Sequence, residues 1–342
     1  MPKSGTKTGS LRSISVDVLA GVKRRRIRGS PGVWQDSCSP SAPVFAAQDP
    51  SLFLKGYGPI PADRLQPSSC GEMLMTDVMF QDMAALDQPA LLAALFHPRP
   101  SFPPAVPALA QELWIPVAEG VVLGARWHPA RAEAATLLCF HGNGELAEDY
   151  DDLGAVYVQR GLQFLVVDYR GYGHSTGHPT VTTMLADSRV ILDFVTAWRH
   201  QHGQTGPLIV LGRSLGSAPA LELAYRRPEA IAGLILDSAF AHTGPLLRRL
   251  GVPGGSFDET QGFRQLDKIR TFAKPTLILH AEHDHLIPFS DGRALYDASP
   301  ARDKRLVQIR GADHNTIFAV GWRPYLEAVQ QFTDPARFQS LA

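Results

Sequence analysis

The stretch that most limits what this chain can fold into runs from Leu208 to Ala224. Leu208-Ile209-Val210-Leu211 is a short apolar run with two β-branched residues, the pattern of a buried strand. Leu215, Ala218, Ala220, Leu221, Leu223 and Ala224 follow at helical spacing until Pro228 stops the helix. Between them lies Gly212-Arg213-Ser214-Leu215-Gly216, so the chain must turn from strand to helix within that short segment. A serine on so tight a turn takes strained backbone angles, and bulky residues two positions either side would collide, which accounts for both glycines. The same turn sets Ser214 at a helix N-terminus, where free N–H groups and the helix dipole favour developing negative charge.

The neighbouring sequence repeats the theme. Residues 112–117 and 121–127, joined by Ala118-Glu119-Gly120, read as an antiparallel hairpin. Strands are expected at 135–140, 163–167, 208–211, 231–236, 276–280 and 305–309, each a nearly continuous apolar run. Helices are expected at 146–161, 182–200, 290–298 and 324–332, with an irregular insertion at 241–269. Alternating strands and helices of this kind predict an α/β fold: a mostly parallel sheet with an antiparallel N-terminal hairpin and helices on both faces.

Composition divides the chain unevenly. Its 33 basic and 33 acidic residues balance, but residues 1–30 hold eight Lys/Arg against Asp17 alone, leaving 25 against 32 beyond them. A mildly acidic body argues against nucleic acid as a partner. The basic head has three readings: an unstructured or over-extended N-terminus with Met73 or Met75 as an alternative start, an organelle-targeting segment, or a nucleic-acid or membrane-surface tail. Residues 31–72 show no periodicity. Residues 73–110 contain a short apolar helix within 82–96 and a Pro-rich lead-in, and one α/β domain is expected over 111–338, with a small cap at about 241–270. No apolar run is long enough to insert stably in a bilayer. Cys38, Cys70 and Cys139 form neither a disulfide framework nor a zinc pattern, and suit a reducing, cytoplasmic setting.

In an open α/β sheet, ligand groups gather in loops beyond the carboxyl ends of the strands. Three strand ends there carry reactive side chains: Ser214 after 208–211, Asp284 after 276–280 and His314 after 305–309. A serine hydroxyl is a poor nucleophile at neutral pH. His314 would take its proton and Asp284 would orient and stabilise the imidazolium. An oxyanion formed in such a reaction needs two donors, expected from the Leu215 N–H and from the Asn143 N–H in His141-Gly142-Asn143-Gly144-Glu145, where Gly142 and Gly144 allow close approach. Asp237 also ends a strand and is a second candidate for the acid. His280, His283, Asp284 and His285 invite a metal reading, but successive residues at a strand end diverge and no second ligand cluster accompanies them. No phosphate-binding glycine loop is present, so no nucleotide cofactor is implied, and with the metal reading disfavoured no cofactor is expected. His141 and Arg170 read as loop-fixing hydrogen bonders, and Arg213 as a buried partner of a carboxylate or a substrate-recognition group.

Together His141-Gly142-Asn143-Gly144-Glu145, Asp168-Tyr169-Arg170-Gly171-Tyr172-Gly173, Gly212-Arg213-Ser214-Leu215-Gly216, Asp284 and Gly311-Ala312-Asp313-His314-Asn315 resemble the motifs of the α/β-hydrolase superfamily, in that family's Ser, Asp, His order. The likeness, over about residues 95–335, is greatest to small serine hydrolases that include esterases, thioesterases and protein depalmitoylases. It implies a catalytic triad of Ser214, Asp284 and His314, oxyanion roles for Asn143 and Leu215, and a small acyl substrate cleaved as an ester, thioester or amide. Two further readings stand beside it: a membrane-recruited deacylase using the basic head, and a silent binding member of the fold. Asp313 departs from the small residue usual before the histidine, and is placed to compete for His314.

Overall fold

The computed structural model of the chain describes residues 83–101, 106–252 and 257–339. The basic head, residues 31–72, Cys38, Cys70 and part of the Pro-rich lead-in lie outside the described residues. Within them, eight strands form one sheet: β1 (Gln111–Ala118), β2 (Val121–His128), β3 (Thr136–Phe140), β4 (Gln163–Val167), β5 (Leu208–Arg213), β6 (Gly233–Asp237), β7 (Thr276–Ala281) and β8 (Lys304–Ile309). The spatial order is β1-β2-β4-β3-β5-β6-β7-β8. β2 runs antiparallel to β1 and β4, and every other pairing is parallel.

Position in the sheet explains the sequence pattern. The strands β3 to β7 are buried along their whole lengths, so both of their faces must be apolar. At the edges, β1 and β8 are buried only in part and carry Glu112, Lys304 and Arg305. Alternate residues of each central strand enter opposite cores. Leu138, Val210 and Leu236 face one core, while Leu137, Cys139, Ile209 and Ile235 face the other.

The helices are α1 (Pro89–Leu95), α2 (Asp151–Gln159), α3 (Val181–Gln201), α4 (Ser217–Arg226), α5 (Thr243–Arg249), α6 (Gln265–Ile269), α7 (Phe289–Ala298), α8 (Ile317–Phe332) and α9 (Pro335–Gln339). None of the described helices is long and apolar enough to cross a membrane. α3 and α4 cover one face of the sheet, and α2 and α8 the other.

Three boundaries depart from expectation, each for a local reason. The helix read over 146–161 begins instead as a 3-10 turn, Ala147–Tyr150, because Asp149 accepts from the Leu146 N–H and Asp168 from the Ala147 N–H. The insertion at 241–269 is not irregular: it holds α5 and α6. Lys268 of α6 is fully buried and ion-paired at 2.9 Å with Glu222 of α4, a long-range contact that a five-residue helix cannot advertise in sequence. The helix expected to start at Pro324 starts at Ile317, with the proline inside it. Its stripe Ile317, Gly321, Tyr325 continues through the proline, and Gly321 presses against β8, where an added Cβ would meet Ile309 Cγ2 at 2.1 Å.

The lead-in is part of the core. Leu86, Leu95 and Phe96 are buried with residues of β2 and α3. Asp87 Oδ1 accepts from the Val181 N–H at 2.8 Å and the Thr182 N–H at 3.2 Å, satisfying first-turn donors that α3 cannot satisfy itself. Loss of this cap in Asp87→Ala is expected to destabilise the protein by about 1 kcal/mol. Urea unfolding reads it as a lower midpoint at unchanged slope, and an unchanged midpoint would contradict it.

Candidate active site

β5 ends at Arg213, and the chain passes through a 3-10 turn, Ser214–Gly216, directly into α4. Ser214 sits at φ 50°, in the left-handed region that a residue with a Cβ reaches only under strain. The glycines permit this by bulk rather than by φ. A Cβ at Gly212 would lie 2.4 Å from the Gly216 carbonyl oxygen, and one at Gly216 would lie 2.0 Å from the Phe140 carbonyl oxygen. Behind the turn, the Ser217 hydroxyl donates to the Ser214 carbonyl at 2.7 Å, and Gln265 Nε2 of α6 donates to that hydroxyl at 3.3 Å.

Two more strand ends meet here. His314 Nε2 lies 3.0 Å from Ser214 Oγ, and His314 Nδ1 lies 2.7 Å from Asp284 Oδ2. The other oxygen of Asp284 accepts from the Leu286 and Ile287 amides at 3.0 and 2.7 Å, so the carboxylate is fully engaged. Burial alone would raise the Asp284 pKa, but the His314 hydrogen bond and charge, with the Ile287 amide, turn the net shift downward, so Asp284 is ionised. His280 stands behind it, donating from Nε2 to the Ile287 carbonyl at 2.8 Å.

Asp237, the second candidate acid, is engaged elsewhere. Its carboxylate receives the Ser238 hydroxyl, the Tyr325 hydroxyl and Arg213 Nη1. Asp313 does not compete for His314: it accepts from the Asn315 and Thr316 amides and the Thr316 hydroxyl, bracing the turn that leads into α8. No group of three His, Cys, Asp or Glu able to hold a metal occurs among the described residues, and His283 points to Glu282 at 3.7 Å.

The loop after β3 lies against the turn, since the Phe140 and His141 carbonyls are the atoms that a Gly216 side chain would strike. His141 is fully buried, its Nδ1 2.8 Å from the Gly142 carbonyl and its Nε2 3.2 Å from Asp168, and the Tyr169 hydroxyl donates to its carbonyl. Burial favours the neutral ring, but Asp168 outweighs it and the pKa is raised. Arg170 forms a two-point pair with Asp187 at 2.6 and 2.7 Å. Gly144 takes φ +74° with open space beside it. Asn143 Oδ1 accepts from the Tyr172 hydroxyl and the His97 amide, both at 2.8 Å, while Nδ2 meets the His97 ring at 2.7 Å. Arg99 Nε donates to the Gly144 carbonyl at 2.7 Å, and its Nη2 pairs with Asp149. Sequence reasoning missed His97 and Arg99, because a Pro-rich segment has no periodicity to signal its contacts.

Arg213 is buried, as the carboxylate-partner reading expects. Nε donates to Glu145 Oε1 at 2.9 Å, Nη1 lies 3.4 Å from Asp237, and Nη2 donates to the His314 carbonyl at 3.0 Å. Glu145 in turn accepts from the Gly142 amide at 2.7 Å and the Tyr150 hydroxyl at 2.5 Å. Burial pushes the Glu145 carboxyl up, but Arg213, Tyr150, Gly142 and His141 together bring it down to about 2.

Comparison with known proteins bears on the fold. Residues 131–252 match the serine aminopeptidase family S33. α/β hydrolase domain-containing protein 17C of Xenopus laevis is 34% identical over 211 residues, 58% of this chain and 60% of that protein. The human protein 17B is 32% identical over 211 residues, 58% of this chain and 65% of its own length. The chain thus spans less than two thirds of these relatives. Among solved structures, the Pyrococcus furiosus esterase Pf2001 superposes with a TM-score of 0.57 at 15% identity, over 69% of this chain and 97% of that one, a likeness of fold. From the sheet order, the helices on both faces and these matches, the chain has the α/β-hydrolase fold.

Proposed function

We propose that the protein is a serine hydrolase that cleaves a small carboxylic ester, thioester or amide through an acyl-enzyme. One observation carries the reading: a serine held at φ 50° on a strand-to-helix turn has its hydroxyl 3.0 Å from an imidazole whose other nitrogen is 2.7 Å from a carboxylate. In this mechanism Ser214 Oγ attacks the acyl carbonyl while His314 Nε2 accepts its proton, and Asp284 stabilises the imidazolium. The amides of Leu215 and Asn143 donate to the oxyanion. Asn143 suits the role because its side chain is tied down while its own N–H takes part in none of the loop's hydrogen bonds. His314 then protonates the leaving group, and water, deprotonated by the same imidazole, releases the acid. The cap segment, through α5 and α6, would cover the acyl side of the site.

The match to a serine aminopeptidase family and the esterase-like fold support hydrolysis as the reaction class. A fluorophosphonate probe is expected to label the protein at Ser214, and a p-nitrophenyl ester series from acetate to palmitate to give an optimum chain length. Absence of labelling together with flat, background-level ester turnover would overturn the reading.

A further inference from the structure

Arg213 precedes the reactive serine, yet its guanidinium reaches away from it, to both flanking loops. Through Nε it holds Glu145, whose second oxygen receives the Gly142 amide, one residue before Asn143. Through Nη2 it holds the carbonyl of His314 itself. Nη1 lies against Asp237, which the Tyr325 hydroxyl also holds at 3.2 Å, and the Phe318 ring covers the guanidinium at 5.3 Å. The side chain is 5% exposed, so it presents no free face to a substrate.

We propose that Arg213 is a positioning residue whose guanidinium fixes the spacing between the Gly142-Asn143 loop and His314, and thereby sets the rate of acyl transfer without touching the substrate. The inference rests on the serine-hydrolase reading above. An ion pair serving the fold alone would be complete with Glu145 and Asp237. The third bond, to the backbone of the residue whose ring faces Ser214, is what couples the proton acceptor to the loop of the oxyanion donor. A planar fork can serve three partners in fixed directions, whereas an ammonium on a flexible stem cannot. A shift of the order of 1 Å between reacting groups costs roughly 100-fold in rate. The effect is therefore expected in kcat.

The test measures p-nitrophenyl ester turnover and thermal melting for the parent, Ser214→Ala, Arg213→Ala, Arg213→Gln, Arg213→Lys and Glu145→Gln. Arg213→Gln and Arg213→Lys are both expected to lose roughly 100-fold in kcat with KM changed by no more than about threefold. Free guanidinium at non-denaturing concentration is expected to restore part of the Arg213→Ala rate and to leave the parent unchanged. A purely structural role predicts neither the split between kcat and KM nor the rescue. Should the Arg213 variants not fold, Glu145→Gln, close to isosteric, reads the same coupling as a lower kcat at parental KM. Parental kcat in folded Arg213→Gln or Glu145→Gln overturns the inference, as does a loss in Arg213→Ala that follows the unfolded fraction and ignores guanidinium. A parent no faster than Ser214→Ala removes the serine reading itself, whereas a Ser214-dependent parent beside a fully active Arg213→Gln removes only this inference.

Discussion

Replacing Ser214 by alanine is expected to lower kcat by a factor on the order of 10⁴ to 10⁶, because in the proposed mechanism nucleophile, base and acid act as a unit and the loss of the nucleophile removes the whole of their effect. What survives is the contribution of the oxyanion donors and of binding. Ser214→Gly would be equally inactive, but it should melt above Ser214→Ala. The φ of 50° is free for glycine and costs a residue with a Cβ on the order of 1 kcal/mol. Single-turnover ester assays and melting curves on the two variants separate the chemistry from the strain. Residual turnover within tenfold of the parent would remove Ser214 from the mechanism, and identical melting points would remove the strain argument.

The second large effect is expected at Gly216. Its backbone is ordinary helix, with φ −62°, so alanine meets no conformational penalty there. It meets the Phe140 carbonyl instead, at 2.0 Å, with the carbonyl carbon at 2.5 Å. Both obstacles are backbone, so either β3 or the turn must give by more than an ångström. Overpacking of this kind costs about 1–3 kcal/mol, and the displaced turn carries the serine away from the imidazole, for a further loss of roughly 100-fold in kcat. A folded Gly216→Ala protein with parental kcat would show that the loop after β3 yields without disturbing the site. Gly144→Ala is the informative contrast: its Cβ has open space, and only its φ of +74° resists the change.

Much of this arrangement is legible in the sequence where the signal is local. The strand, the turn glycines and the helix after Ser214 follow from residues 208–224 alone, because burial on both sides of β5 demands a continuous apolar run. That Asp284 and His314 each follow a strand is equally readable, and the structure brings His314 to Ser214 and Asp284 to His314. The partners of Arg213 are not readable. Glu145 lies 68 positions before it and His314 lies 101 after, and only the parallel sheet order brings them together. Pro324 illustrates the opposite failure: a strong local punctuation mark was overruled by an apolar stripe that already had a strand to pack on. For Asp313, a charged residue beside the imidazole suggested rivalry, but three short-range donors claim its carboxylate first.

The lead-in before the first strand carries a practical consequence for anyone choosing where such a domain begins. His97 and Arg99 form an outer rim around residues 143 and 144, and α1 anchors that rim by burying Leu95. A boundary drawn at Gln111, where the sheet starts, would keep the ladders of the eight strands but lose the pairing of Pro100 with Gly173, and would leave the Asn143 carboxamide and the Gly144 carbonyl without these partners. The same cut removes Leu86, Leu95 and Phe96 from the core and the Asp87 cap from α3, so stability and the loop's support are lost together.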